Sequence, residues 1–276
     1  MTTAKTPVIL MRTSLAEESE FEVAKKYFPV YRLRSQIPEN SLVIARYSAL
    51  PYYLELEEDL KANGSELINT YYQHRWIADL REWYQELEGL TPKTWFTLAE
   101  PPEHEAPFVL KGATNSRKFN WDTHMFAKTK MDAGSVYSRL SQDSMIMEQD
   151  IYVRKYVPLK RLFTGLHDLP ISEEYRFFVL DGEVVSSGFY WSSHIDDLKD
   201  IGIIPDPRNV PEAFLNEVVR RIGFNARFVV IDIARTEAGD WTVIELNDGT
   251  MSGLSENSPE TLYSNLRKRL NAENDD

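Results

Sequence analysis

The sequence predicts a chain of mixed α and β structure, an α/β segment first and antiparallel hairpins after it. Three observations carry this. Up to about Phe96, short apolar runs alternate with helical stretches, the pattern of strands joined by crossover helices. Further on, residues 174–180 and 183–190 flank Asp181-Gly182, a dipeptide that favours a tight hairpin turn. Residues 229–233 and 241–246 are β-branched runs joined by a polar link containing a glycine, a second hairpin.

Taken in order, residues 7–11 form an apolar strand, 17–28 a helix and 42–46 another strand. Residues 54–62 and 73–87 are helical. The second carries Trp76, Ile77, Leu80, Trp83, Tyr84 and Leu87 at helical spacing, a core stripe, and Gly89 stops it. Residues 100–107 are Pro-rich and charged and mark a domain boundary. A strand at 108–112 ends in Lys111 and Gly112, a polar and basic loop fills 113–118, and 145–157 hold further strand material. Residues 211–222 make an amphipathic helix with Pro211 at its start and Gly223 at its end. Residues 260–270 form a terminal helix and 271–276 an acidic tail.

Composition narrows the function classes. A length of 276 residues is enough for one large domain or two to three small ones. The net charge of -12 argues against a general nucleic-acid or membrane binder. The absence of cysteine removes disulfides, zinc thiolates and a Cys nucleophile. The first seven residues lack the apolar core of a signal peptide, and no apolar run could span a bilayer, so a cytoplasmic location is expected.

The usual nucleotide motifs are missing: there is neither a Gly-Lys-Ser/Thr loop nor a Gly-x-Gly-x-x-Gly after a strand. His74, His104, His124, His167 and His194 are scattered and show no metal spacing. The chemistry concentrates instead in the last hairpin. Residues two apart in a strand share a face, so Glu245 and Asn247 lie together, and a turn centred between Ala238 and Gly239 sets Asp232 opposite Glu245. Facing carboxylates repel unless a cation lies between them. Two carboxylates and an amide suit Mg²⁺, although a solvated polar face is the alternative for any one acid. Upstream, Lys111 ends an apolar strand and Arg176 sits inside one. A charge there needs a partner, either an internal carboxylate such as Glu174 or a phosphate. Arg46 follows a strand of the first segment, where ligands of open α/β sheets gather. It is read either as an anchor for a substrate carboxylate or as half of a structural salt bridge; Arg12, past the first strand, has the same ambiguity.

This order of elements resembles the ATP-grasp superfamily. The carrying residues are Phe108-Val-Leu-Lys111-Gly, Val153-Arg-Lys-Tyr-Val157, Glu174-Tyr-Arg176-Phe-Phe-Val-Leu-Asp-Gly182, Val230-Ile-Asp232-Ile and Val243-Ile-Glu245-Leu-Asn247. The chain also looks like the small stand-alone ATP-grasp ligases of bacteria and phages. The resemblance implies an α+β fold in which two α+β subdomains clamp ATP between antiparallel sheets, after an N-terminal α/β domain. The implied boundaries are 1–99, 100–170 and 171–276. It implies that Lys111 contacts the nucleotide phosphates and that the 113–118 loop closes over them with Ser116, Arg117 and Lys118. Arg154, Lys155, Tyr156 and Val157 would line the adenine pocket, and Arg176 would reach the γ-phosphate and an acyl phosphate. Asp232, Glu245 and Asn247 would hold Mg²⁺, with Ser252 and Gly253 near the substrate unless they are an ordinary loop. Two departures stand out: the closing loop is poor in glycine, and Arg154-Lys155 occupy a hinge that is often acidic or Gln in the family.

The expected function is an ATP- and Mg²⁺-dependent carboxylate–amine ligase that forms an amide or peptide bond through an acyl phosphate. Its partners would be a small-molecule, peptide or protein carboxylate and an amine. The alternatives are a phosphotransferase on the same fold, a non-catalytic nucleotide-binding module, and a metal-independent hydrolase using Glu174 and Glu245.

Overall fold

The computed structural model describes residues 5–12, 18–165 and 169–272. The first segment is built on parallel strands. It comprises β1 (Thr6–Met11), α1 (Glu18–Tyr27), β2 (Val30–Tyr31), β3 (Ser41–Arg46), α2 (Tyr53–Ala62) and β4 (Glu66–Leu67), with all strands parallel in the order β2-β1-β3-β4. Its strands are buried on both faces, α1 and α2 covering opposite sides, which is why β1 and β3 read as unbroken apolar runs.

The helix expected over 73–87 is interrupted. Helix α3 (Tyr71–Ala78) stops at Asp79, whose backbone is extended, and a short α4 (Leu80–Trp83) restarts after it. Asp79 accepts from the Arg81 N–H at 2.9 Å and from the Tyr152 hydroxyl at 2.9 Å. The aspartate is thus an N-cap and cannot continue the preceding helix. The apolar stripe still faces inward, since Ile77, Leu80, Trp83 and Leu87 are all buried in one core.

The second sheet runs in the order β5-β8-β6-β7. Its elements are β5 (Thr94–Trp95), β6 (Phe108–Gly112), α5 (Trp121–His124), β7 (Phe126–Ala127), α6 (Lys130–Leu140) and β8 (Ile151–Lys155). Its pairings are antiparallel, and α6 packs on one face through Ala133, Val136 and Leu140. Strand β5 precedes the Pro-rich connector yet pairs with β8. Only 151–155 of the region expected to hold strand material at 145–157 is extended in the sheet. A two-stranded hairpin, β9 (Arg161–Thr164) and β10 (Pro170–Ser172), follows.

The last sheet comprises β11 (Glu174–Leu180), β12 (Glu183–Phe189), α7 (Ile195–Asp200), α8 (Glu212–Ile222), β13 (Phe228–Arg235) and β14 (Trp241–Asp248), followed by α9 (Pro259–Ala272). The strand order is β12-β11-β13-β14, antiparallel throughout. Asp181 and Gly182 turn the first hairpin with φ of 46° and 80°, the left-handed pair that Asp-Gly tolerates. One face of this sheet packs Tyr175, Phe177, Ile231 and Val243 against Val218 and Ile222 of α8. The other places Phe178 and Val230 in a core shared with Ile9, Ile44, Leu262 and Leu266, so the first segment and α9 are fused to it. Among the described residues no helix is long and apolar enough to cross a membrane. The expected acidic tail lies mostly outside the described residues, as does His167.

Candidate active site

Register aligns four strands of the last sheet at one level. Gly188 pairs with Arg176, Arg176 with Asp232, and Asp232 with Glu245. The last pairing depends on a β-bulge. Ile233 pairs with Val243 while Asp232 pairs with Glu245, which leaves Ile244 as the extra residue. The turn itself sets a register in which Asp232 would have met Ile244. The bulge moves it by one, and such irregularities re-aim side chains next to ligand sites. At the other end of the row Gly188 has no side chain for a steric reason: a Cβ there would lie 2.4 Å from the Glu256 carbonyl carbon, where the chain crosses the sheet.

The acids on this face are paired with cations. Arg176 binds Asp232 in a fork, Nε to Oδ1 at 2.8 Å and Nη2 to Oδ2 at 2.7 Å, and Asp232 is fully buried. Asn247 donates to the same carboxylate at 3.3 Å. The third nitrogen of Arg176 donates to the Gly253 carbonyl at 2.8 Å. Across the cleft Lys111 of β6 donates to Glu245. Arg154 of β8 donates to the carbonyl of the bulged Ile244 at 2.8 Å and to the Thr91 hydroxyl at 2.6 Å. The bulge therefore ties the two sheets together as well as aiming Glu245.

A cleft of about 380 Å³ lies between these sheets, with the β9–β10 hairpin along one side. Val109, Met125, Trp121, Tyr156 and Val157 make an apolar end, whereas Lys111, Ser116, Lys118, Glu174 and Glu245 make a charged end. Burial opposes the charge of Glu245, but Lys111 and Lys118 outweigh it and hold its carboxyl down to about 2. Burial, with Arg154 and Lys118 nearby, keeps the Lys111 ammonium below the usual lysine range despite Glu245. Arg154 is pushed down to about 10 by burial. Cations thus outnumber carboxylates at this end, a set-up for an anion. Glu174 is raised by burial; Ser172 donates to its Oε2 at 3.2 Å, and its Oε1 is buried without a partner.

The structure distributes the residues singled out from the sequence unevenly. Lys111, Ser116, Lys118, Arg154, Lys155, Tyr156, Val157 and Glu245 line the cleft. Arg176, Asp232 and Asn247 stand behind Glu245 on the same sheet face. The Lys155 ammonium pairs with Glu105 at 2.6 Å, so this residue offers the cleft its stem and backbone. Arg117 forks onto Asp143 at 2.6 and 2.8 Å and fastens the loop to the region after α6. Arg46 takes the salt-bridge alternative: it is buried against Glu20 at 2.7 Å and donates to the carbonyls of Gly249 and Ser252 at 2.6 and 2.9 Å. Ser252 donates to the Asp248 carbonyl at 2.7 Å, so its hydroxyl faces inward. Arg12 stacks over the Tyr47 ring at 4.7 Å. Sequence reasoning gives no role at the site to two further residues. Glu174 enters it only as a partner for Arg176 or a hydrolytic acid, and Tyr190 reads as one more aromatic of a strand end.

Among the described residues no group of three or more His, Cys, Asp or Glu is arranged around a metal position. The donor set is two carboxylates and one amide. Oxygen ligands alone, with at most two carboxylates, are what Mg²⁺ accepts when phosphate and water complete its shell.

These elements define an ATP-grasp protein, and sequence comparison agrees. The chain belongs to an ATP-grasp domain family, the third family of its clade, whose model matches residues 100–266. It shares its fold with the ATP-grasp ligase PsnB complexed with a minimal precursor (TM-score 0.58, 12% identity, 96% of this chain and 99% of that one). It is similar in the same way to the D-cycloserine synthetase DcsG (TM-score 0.58, 13% identity, 96% and 99%). D-alanine–D-alanine ligase from Bacillus anthracis complexed with ATP matches over 99% of both chains, with a TM-score of 0.57 and 11% identity. Comparison with the curated proteins gives no sequence match.

Proposed function

We propose that this protein is an ATP-dependent ligase that joins a carboxylate to an amine through an acyl phosphate. The observation that carries the reading is the cleft, apolar at the Tyr156–Val157 end and cationic around Lys111, Lys118 and Arg154 at the other. A nucleotide has this polarity. Its base would stack into the apolar end and meet the backbone of 155–157, and its phosphates would reach the cations. Phosphates only accept hydrogen bonds, so the unpartnered Glu174 oxygen needs a donor, and a ribose hydroxyl supplies one.

In the first step a carboxylate oxygen of the acid attacks the γ-phosphorus, the bond to the β–γ bridging oxygen breaks, and ADP leaves. In the second the amine nitrogen attacks the acyl carbon, phosphate departs with the bonding pair, and the amine proton passes to solvent or phosphate. Lys111, Lys118 and Arg176 neutralise the charge gathering on the phosphoryl oxygens and orient them. Asp232, Glu245 and Asn247 would hold Mg²⁺, which would add a further positive charge at those oxygens. No covalent nucleophile of the protein is needed.

Incubation with Mg²⁺-ATP and pools of carboxylates and amines tests this. ADP and phosphate formed only when both an acid and an amine are present is the expected result. ADP without an amine requirement would mark a phosphotransferase, and AMP with pyrophosphate would refute the acyl-phosphate route.

A further inference from the structure

Tyr190 follows β12 and donates its backbone N–H to the Glu174 carbonyl at 3.0 Å. It shares a sheet face with Gly188, the partner of Arg176, so Arg176 is its diagonal neighbour. The Arg176 guanidinium lies 4.9 Å from the Tyr190 ring centroid. The Lys118 ammonium, arriving from the loop on the opposite wall of the cleft, lies 4.5 Å from the same centroid and donates to the Tyr190 hydroxyl at 2.9 Å. Trp191 adds a second ring 5.9 Å from Lys118. One aromatic side chain thus receives two cations that would otherwise repel each other, and Glu174 is the carboxylate nearest Lys118 in effect.

We propose that Tyr190 is a positioning residue of the phosphate site: its ring and hydroxyl hold Lys118 and Arg176 where both cations meet the terminal phosphoryl group of the nucleotide. The inference rests on the nucleotide reading of the cleft. Arg176 is already fixed by Asp232 and the Gly253 carbonyl. Lys118 is not. It sits on a flexible four-carbon stem at the end of a loop, and a lysine side chain loses much rotamer freedom when confined. The aromatic contacts and one hydrogen bond meet that cost before the nucleotide arrives, so the loop closes with its charge at a set distance from Arg176. With the base at residues 155–157 and the first phosphates at Lys111, the last phosphate is the one that reaches this pair.

The test compares Mg²⁺-ATP and Mg²⁺-ADP affinities by calorimetry in the wild type, Tyr190→Phe and Tyr190→Leu. A phenylalanine keeps the ring and loses only the hydroxyl, so ATP affinity should fall about threefold; a leucine loses both, for a fall of about tenfold or more. ADP, which lacks the terminal group, should change by less than about twofold in either variant, the small scatter expected where no hydrogen bond is lost. A general structural role would weaken both nucleotides together. Parallel loss of ATP and ADP affinity, or no loss of ATP affinity in Tyr190→Leu, overturns the inference while leaving the nucleotide reading intact. Failure of the wild type to bind either nucleotide overturns both.

Discussion

Arg46 offers a sharp test of how side-chain direction sets function. Its guanidinium is 5% exposed and the Glu20 carboxylate 9%. Tyr263 donates to the same Glu20 oxygen at 2.7 Å, and the outer nitrogen of Arg46 holds the carbonyls of Gly249 and Ser252. Arg46→Met keeps the volume but strands a buried carboxylate and two carbonyls. Removing one member of a buried ion pair costs about 3–5 kcal/mol. For a chain of this size that corresponds to a fall in Tm of roughly 10 °C. Adding Glu20→Gln should restore part of it, since the second change removes the orphaned charge. Calorimetry gives the Tm, and an ATP titration should show affinity within about threefold of wild type, because Arg46 lies outside the cleft. An unchanged Tm together with lost turnover would refute the structural role and return Arg46 to the substrate.

Three other outcomes follow from the site. Glu174→Ala should erase selectivity for ATP over 2′-deoxy-ATP, measured as a ratio of affinities, because the oxygen that would take a ribose hydroxyl is gone; a charged hydrogen bond of this kind is worth about tenfold. Chelating Mg²⁺ with EDTA should weaken ATP binding about tenfold or more if the two carboxylates and Asn247 hold a phosphate-bridging ion, and Glu245→Gln should blunt that dependence. The third concerns pH. The Glu245 carboxyl is held down to about 2 in the fold, against about 4.3 in an unfolded chain. A lowered carboxyl pKa adds stability that is complete above the unfolded value and is lost as pH falls toward the folded one. Urea titrations should show part of the acid destabilisation between about pH 4.5 and 2 disappearing in Glu245→Gln.

Much of the architecture was legible because it depends on local pattern. The Asp-Gly turn announced the β11–β12 hairpin, and alternating apolar runs announced the parallel first sheet. Position 232 against 245 was also anticipated, yet through a turn geometry that differs from the actual one; the bulge at Ile244 has no local signature and is set by Arg154 gripping its carbonyl. The break at Asp79 was hidden because an aspartate on the polar face of a helix looks the same as an N-cap until Tyr152 claims it. Charged side chains were the least legible. Lys155, Arg117 and Arg46 sit where the sequence put them, but Glu105, Asp143 and Glu20, all distant in the chain, decide where they point. Tyr190 escaped notice for the same reason: its significance lies in two cations brought from other elements.

The central claim is that the cleft takes the phosphates of ATP on Lys111. Calorimetric titration of Mg²⁺-ATP into the wild type and Lys111→Met tests it. The account predicts saturable binding of one nucleotide per chain in the wild type, weakened about 30-fold or more in the variant, the usual loss when a desolvated charge pair loses one member. Equal affinity in the two proteins, or no binding in the wild type, would contradict it.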